Sequence, residues 1–299
     1  MFDSSIPTCY FPSTVVFIDD SREFLLNFIL QLDEHLSYLV FDSPADALSC
    51  IHKKRYALDW LNHQQSQPLL LNQQQFDQSL AAVYAELYNP KRFSEISVVM
   101  VDYAMPDING LEFCRQIENS HIKKIVLVGP ADEPRAKKAL EQGLIHQYIN
   151  KNGPNLAARI VAAIHELQLS YFHNMSRLIS RMLALPTPAS HQEPQVRSLF
   201  NELCVQHKIV EFYQLDRQGS MVMLDEDARI SALHISDESH SLATDTGLLS
   251  DSESCMSLVV NGYHCTYRPC FALDGQKRED IVTYHAHLDA LDAEQLFLA

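Results

Sequence analysis

Residues 98–113 read VVMVDYAMPDINGLEF. An apolar run ends in a carboxylate, Asp102, and a turn containing Pro106, Asp107, Asn109 and Gly110 separates it from an amphipathic helix expected from Leu111. A charged carboxylate is costly in a buried strand unless it is paired or holds a metal. A strand that delivers an acid to its carboxyl end, before a turn and a helix, is how an open α/β sheet presents a reactive group. A turn or capping role suits Asp107 better than Asp102.

The same pattern recurs on both sides. VVFI at 15–18 ends in Asp19 and Asp20, and Ser21 is placed to cap a helix whose apolar positions Phe24, Leu25, Phe28, Ile29 and Leu32 keep helical spacing. Further strands are expected over about 37–41, 97–101, 124–128 and 146–150, the last ending at Lys151. Helices are expected near Pro44 and over about 133–142, the second closed by Gly143. Strands alternating with helices predict a doubly wound, five-stranded parallel sheet in an α/β unit spanning 1–154, with its functional edge at the strand carboxyl ends. Residues 52–95 interrupt it with the glutamine-rich HQQSQPLLLNQQQFDQ and two helical patterns around a turn at 66–68. That stretch reads as a helical decoration of the sheet or as a partner-docking insertion.

After Pro154 a long helix is expected over 155–184, with Asn155 as its cap. Its apolar positions Leu156, Ile160, Ile164, Leu167, Tyr171, Met175, Leu178 and Met182 form an eleven-residue repeat. Two readings fit: a helix buried within the chain, or one paired with its twin in a homodimer through Leu156, Leu167 and Leu178. The linker LPTPASHQEPQ at 185–195 follows. The region 196–299 then reads as an α+β domain with an antiparallel sheet: a helix over 196–206, then IVEFYQLD, SMVMLD, ISALHIS, MSLVV, HCTYRPCFAL and IVTYHAHLDAL.

Composition narrows the function. The net charge is −15, and from His191 onward 18 acidic residues face 7 basic ones. Nucleic-acid binders ordinarily carry a basic face, so DNA binding is not expected. No apolar run is long enough to span a membrane. The N-terminal MFDSSIPTCYFPST has no basic residue and is no secretory signal, so a cytoplasmic location is expected. Seven scattered cysteines without a CxxC read as thiols. His264, Cys265, Cys270, His285 and His287 have zinc-ligand chemistry, but neighbouring strand residues face opposite ways, so packing and surface roles are expected instead.

Together the strand ends bring Asp19, Asp20, Asp102 and Lys151 to one edge. Clustered carboxylates call for a cation, and oxygen ligands alone favour a hard ion such as Mg²⁺, which keeps waters that a phosphate can displace. With the phosphoryl oxygens neutralised, a carboxylate can attack phosphorus and form an acyl phosphate, and Lys151 supplies a second positive charge. No GxxxxGK[ST] loop is present to suggest an NTPase.

FIDDS at 17–21, VDYAMPDINGLEF at 101–113 and INK at 149–151 resemble the receiver domain of two-component response regulators. The resemblance implies a receiver (flavodoxin-like) fold and Asp102 as phosphoacceptor. It implies Mg²⁺ held by Asp19, Asp20, Asp102 and the backbone carbonyl of Ala104. Lys151 would contact the phosphoryl group, and Tyr148 falls near the family's switch aromatic. A sensor histidine kinase or phosphotransfer protein would be the partner. The C-terminal phrase EFYQLDRQGSMVMLD resembles an uncharacterised output region of some bacterial regulators, which implies no chemistry.

The departures matter as much. Receivers carry a Thr or Ser at the end of the fourth strand of the fold, whose hydroxyl follows the phosphoryl group. Counting from Gly143 puts that position at Val128 and counting from Lys151 puts it at Gly129; neither has a hydroxyl. Three functions follow. One is a phosphorylatable regulator with a non-DNA-binding output through protein interaction or ligand sensing. Another is a pseudo-receiver scaffold that phosphorylation does not switch. The last is an enzyme using C-terminal acids such as Asp225, Glu226, Asp227, Asp237 and Glu238, although acids clustered in turns are mostly solvated.

Overall fold

The computed structural model describes residues 5–32, 36–53, 90–182, 187–237, 256–260 and 262–269. Residues 54–89 of the expected insertion at 52–95 and the segment IVTYHAHLDAL lie outside them. So do Cys270, His285 and His287 of the weighed zinc set.

Two neighbouring strands at the start of the chain go to different sheets: β1 (Cys9–Tyr10) and β2 (Thr14–Ile18). β2 joins β3 (Tyr38–Phe41), β4 (Ile96–Asp102), β5 (Lys123–Val128) and β6 (Gln147–Asn150) in the order β3-β2-β4-β5-β6, with every pairing parallel. This is the expected doubly wound sheet. Both of its faces are covered, which is why β2, β4 and β5 are buried throughout and apolar over most of their length, Lys123 and Lys124 at the start of β5 excepted.

The pleat sorts these strands into two cores. Val15 and Phe17, Val98 and Met100, Ile125 and Leu127, and Ile149 share one face. They pack with Leu25 and Phe28 of α1 (Arg22–Ile29), and with the long helix described below. The intervening residues Val16, Ile18, Val99, Val101, Val126 and Val128 take the other face. There they meet α2 (Pro44–Lys53), α3 (Gly110–Gln116) and α4 (Glu133–Glu141). Successive side chains of a strand point to opposite faces, so every residue at a strand end can be assigned to one core or the other.

Helix ends follow their local chemistry. Ser21 Oγ accepts from Phe24 N–H at 3.2 Å, as expected. At α3 the cap is Asn109, whose side chain accepts from Glu112 N–H at 3.0 Å. After α4, Gly143 adopts φ +70°, and Leu144 N–H returns to the Ala139 carbonyl at 3.0 Å.

The long helix is α5 (Leu156–Met182). Asn155 precedes it at φ +53° and takes the Arg159 N–H on its backbone carbonyl at 3.1 Å. Ile160, Ala163, Ile164 and Leu167 belong to the first core, and Leu156 packs against it. Leu178 is buried as well. Of the three leucines weighed for a homodimer seam, Leu167 and Leu178 are therefore covered by the chain itself and Leu156 is partly covered. Amphipathic spacing reports that a face is buried, not by what. Ala158, Arg159, Ala162, His165 and Glu166 are exposed on the other side of the helix.

Below the parallel sheet, at the amino ends of its strands, polar side chains are tied together. Ser13 and Ser97 hydroxyls lie 2.7 Å apart, and Gln168 Nε2 of α5 donates to Ser13 O at 3.3 Å and Oγ at 3.1 Å. The Tyr171 hydroxyl donates to the buried carboxylate of Glu95.

The second sheet is antiparallel and six-stranded, in the order β1-β7-β8-β9-β11-β10. Its members are β1, β7 (Ile209–Gln214), β8 (Met221–Asp225), β9 (Ile230–Asp237), β10 (Met256–Val260) and β11 (Tyr263–Pro269). Cys9 and Tyr10, expected with the parallel-sheet unit, pair with Tyr213 and Phe212 instead. A strand of two residues has no periodicity to read. Two helices accompany this sheet: α6 (Ala189–Gln192), within the expected linker, and α7 (Pro194–Gln206), whose Phe200 meets Phe212 edge-on at 4.9 Å.

Three of the acids weighed for catalysis, Asp225, Glu226 and Asp227, serve a turn, whereas Asp237 ends β9 and Glu238 lies outside the described residues. Asp225 Oδ1 accepts the N–H groups of Asp227 and Arg229, while Glu226 and Asp227 pair with Lys208 and Arg229. Cys265 is buried in β11. Among the described residues no helix is long and apolar enough to cross a membrane.

Candidate functional site

The pleat decides which side chains meet. Asp19 follows Phe17 by two residues, Asp102 follows Met100, and Lys151 follows Ile149, so all three fall on the face of the first core. Val128 falls on the opposite face, fully buried in the second core. Tyr148 packs on that opposite face as well, and is half-buried. Gly129 is therefore the residue of β5's end that belongs to the acidic face. A Cβ at Gly129 would meet nothing within 4 Å, so a side chain there has room.

Lys151 Nζ lies 2.8 Å from Asp19 Oδ2 and 2.9 Å from Asp102 Oδ1. Both carboxylates are buried, at 1% and 6% exposure, whereas Asp20 is exposed. One carboxylate oxygen from each of Asp19, Asp20 and Asp102 lies within 4.8 Å of the others, the one such ligand cluster among the described residues. Burial pushes the Asp19 carboxyl above its usual range, against the pull of Lys151 and of the Ser21 N–H donated to Oδ1 at 2.9 Å. Burial alone would lower Lys151, but its bonds to Asp19 and Asp102 outweigh this and raise it. Three hard oxygen donors, one of them open to solvent, suit a Mg²⁺ ion that retains waters.

The turn after Asp102 has its own steric logic. Gly110 N–H bonds to the Tyr103 carbonyl at 3.0 Å, and a Cβ at Gly110 would sit 2.4 Å from the Asp102 carbonyl oxygen. Only glycine lets α3 begin so close to the acid. Ala104 is exposed between them. One neighbour was not singled out from sequence: Phe24, read only as an apolar helix position, places its ring centroid 4.8 Å from Lys151 Nζ.

A family model described as the response regulator receiver domain matches residues 59–165, which include Asp102 and Lys151. The solved response regulator LqsR of Legionella pneumophila is 42% identical, with 98% of this chain and 99% of that one covered and a TM-score of 0.76. The chain belongs to the response-regulator family. An adenylate cyclase structure from Rhodopirellula baltica and a response regulator receiver domain protein from Clostridium thermocellum also match. They do so at 20% and 21% identity, over 56% of this chain and 94% and 98% of theirs, with TM-scores of 0.40 and 0.35. Among curated proteins, none matches.

Proposed function

We propose that this response regulator accepts a phosphoryl group on Asp102 from a sensor histidine kinase or phosphotransfer protein. The observation that carries the reading is the pairing of Lys151 with both Asp102 and Asp19, beside the solvent-facing Asp20. In the transfer an Asp102 carboxylate oxygen forms the new bond to phosphorus. The bond from phosphorus to the donor nitrogen breaks, and its electron pair stays on the donor. Asp19, Asp20, Asp102 and the Ala104 carbonyl would hold Mg²⁺, which when bound neutralises the phosphoryl oxygens. Lys151 is positioned to exchange a carboxylate for a phosphoryl oxygen without leaving the site.

The acidic C-terminal region supports an output through protein interaction or ligand sensing rather than DNA, and the setting we propose is cytoplasmic. The burial of Leu167 and Leu178 argues against self-association through the leucine face of α5; the polar face at Arg159, His165 and Glu166 is what that helix offers a second copy. A second reading, a pseudo-receiver that binds partners without being switched, has one observation in its favour: Gly129 has no hydroxyl to follow a phosphoryl group.

Incubation with acetyl phosphate and Mg²⁺ tests the first reading. One acid-stable, hydroxylamine-labile phosphoryl group per chain is expected in the wild type and none in Asp102→Asn. Equal labelling of the variant would remove Asp102 from its role.

A further inference from the structure

We propose that Phe24 is a positioning residue for Lys151, holding its ammonium in the gap between Asp19 and Asp102; this rests on the reading of Asp102 as phosphoacceptor. An ammonium has three N–H donors. Two of the contacts of Lys151 Nζ are the carboxylates at 2.8 and 2.9 Å, and the Phe24 ring, at 4.8 Å, is the third. That distance lies inside the roughly 6 Å within which an aromatic face attracts a cation.

The ring is itself held in place. It stacks on Phe28 at 6.0 Å and 4°, and Phe28 meets the fully buried Phe17 of β2 edge-on at 5.3 Å. The backbone of Phe24 is fixed by the same residue that orients Asp19: Ser21 Oγ takes the Phe24 N–H, while Ser21 N–H goes to Asp19 Oδ1. One turn of chain thus sets an acid and the aromatic face opposite it. Phe24 packs against the first core without being enclosed by it. It is half-buried, and it lines a surface hollow of about 390 Å³ with polar residues such as Asn27, Gln31 and Asn155 and apolar ones such as Phe28 and Leu156. The ring thus packs on the first core with one side and meets the ammonium with its face. A lysine stem has many rotamers, and holding one of them in advance lowers the cost of ordering the charge onto a phosphoryl oxygen.

The test compares Phe24→Leu, which keeps apolar bulk without a ring, with Phe24→Tyr, which keeps the ring. Both are made in the full chain, with wild type alongside. Side-chain resonances of Lys151 should carry an upfield ring-current shift in wild type and Phe24→Tyr and lose it in Phe24→Leu. Phosphoryl uptake from acetyl phosphate with Mg²⁺ should be about two- to fivefold slower in Phe24→Leu and restored in Phe24→Tyr. Unchanged Lys151 resonances in Phe24→Leu, or equal slowing of both variants, overturns the proposal. So does a labelled wild type whose rate Phe24→Leu matches. A wild type that takes up no phosphoryl group overturns the phosphoacceptor reading and this proposal together, which separates the two failures.

Discussion

At the amino edge of the parallel sheet Ser13, Ser97 and Gln168 close on one another, Thr14 donates to the Phe93 carbonyl at 2.7 Å, and Tyr171 donates to Glu95. At the carboxyl edge three carboxylates gather, two of them paired with one ammonium and the third, Asp20, in solvent. Both edges hold buried polar groups, yet only one balances them. A satisfied network makes a fold specific and rigid. An excess of like charge makes it less stable and leaves it receptive to a cation and a phosphoryl group. The same strands supply both edges, so the difference comes from which residues terminate them and from the loops.

The sharpest way to alter the carboxyl edge is to return the missing hydroxyl. Gly129 is on the acidic face, and a Cβ there is unobstructed. In Gly129→Ser, a hydroxyl donating to the phosphoryl group should add about 1.5–3 kcal/mol of bias toward the modified state, a ten- to hundredfold change. Labelled tyrosine resonances, recorded with Mg²⁺ and the phosphoryl mimic beryllofluoride, report this at Tyr148. A small change is expected in the wild type and a large one in the variant. A wild type that already responds in full, with nothing gained at Gly129→Ser, would mean another group replaces the hydroxyl.

The amino edge should answer in stability instead. Tyr171→Phe removes the hydroxyl from the buried Glu95 carboxylate and should cost about 1–2 kcal/mol, read as a lower urea midpoint at constant slope. Asp102→Asn removes one of the crowded carboxylates and should cost less than Tyr171→Phe does. If Asp102→Asn proves the more damaging, the acidic edge is structural rather than receptive, and the contrast fails.

How much of this was legible beforehand differs between the edges. Asp19, Asp20, Asp102 and Lys151 each end a strand-like run, so spacing along the chain located them. The choice between Val128 and Gly129 was not legible, because counting from Gly143 and from Lys151 disagrees by one residue. The strand pleat, with Leu127 and Val128 in opposite cores, puts Gly129 rather than Val128 on the acidic face. Nothing in the sequence near Ser13 announces Gln168, which is 155 positions away. The apolar repeat of α5 was visible, but its partner was not, since Leu167 would look the same packed on this sheet or on a second chain. Phe24 was read for its spacing, and spacing carries no information about a lysine four strands later in the fold.

The smallest expected effect sets the edges against each other in acid. At the amino edge His146 Nδ1 accepts the Lys124 backbone N–H at 3.1 Å, which requires a neutral ring. Burial, with Lys123 and Lys124 nearby, lowers its pKa from 6.5 to about 4. The unfolded chain therefore binds this proton first. The stability it contributes is complete above about pH 6.5 and is lost as pH falls toward 4. Asp19 runs the other way. Its folded pKa is raised, so its ionised form burdens the fold at neutral pH, and that burden is relieved as pH falls through the raised value. His146→Gln keeps a side-chain acceptor but does not titrate. Relative to wild type it should gain about 1 kcal/mol between pH 7 and pH 5 after allowance for solvent screening. Any change in the difference between Asp19→Asn and wild type should have the opposite sign, wild type gaining on the variant as the pH falls through the raised Asp19 value. Urea unfolding of the three proteins at both pH values measures this. A gap between wild type and His146→Gln that does not change with pH would show that His146 takes up its proton in the fold as readily as in the unfolded chain, and that the amino edge tolerates a charge its hydrogen bonds leave no place for.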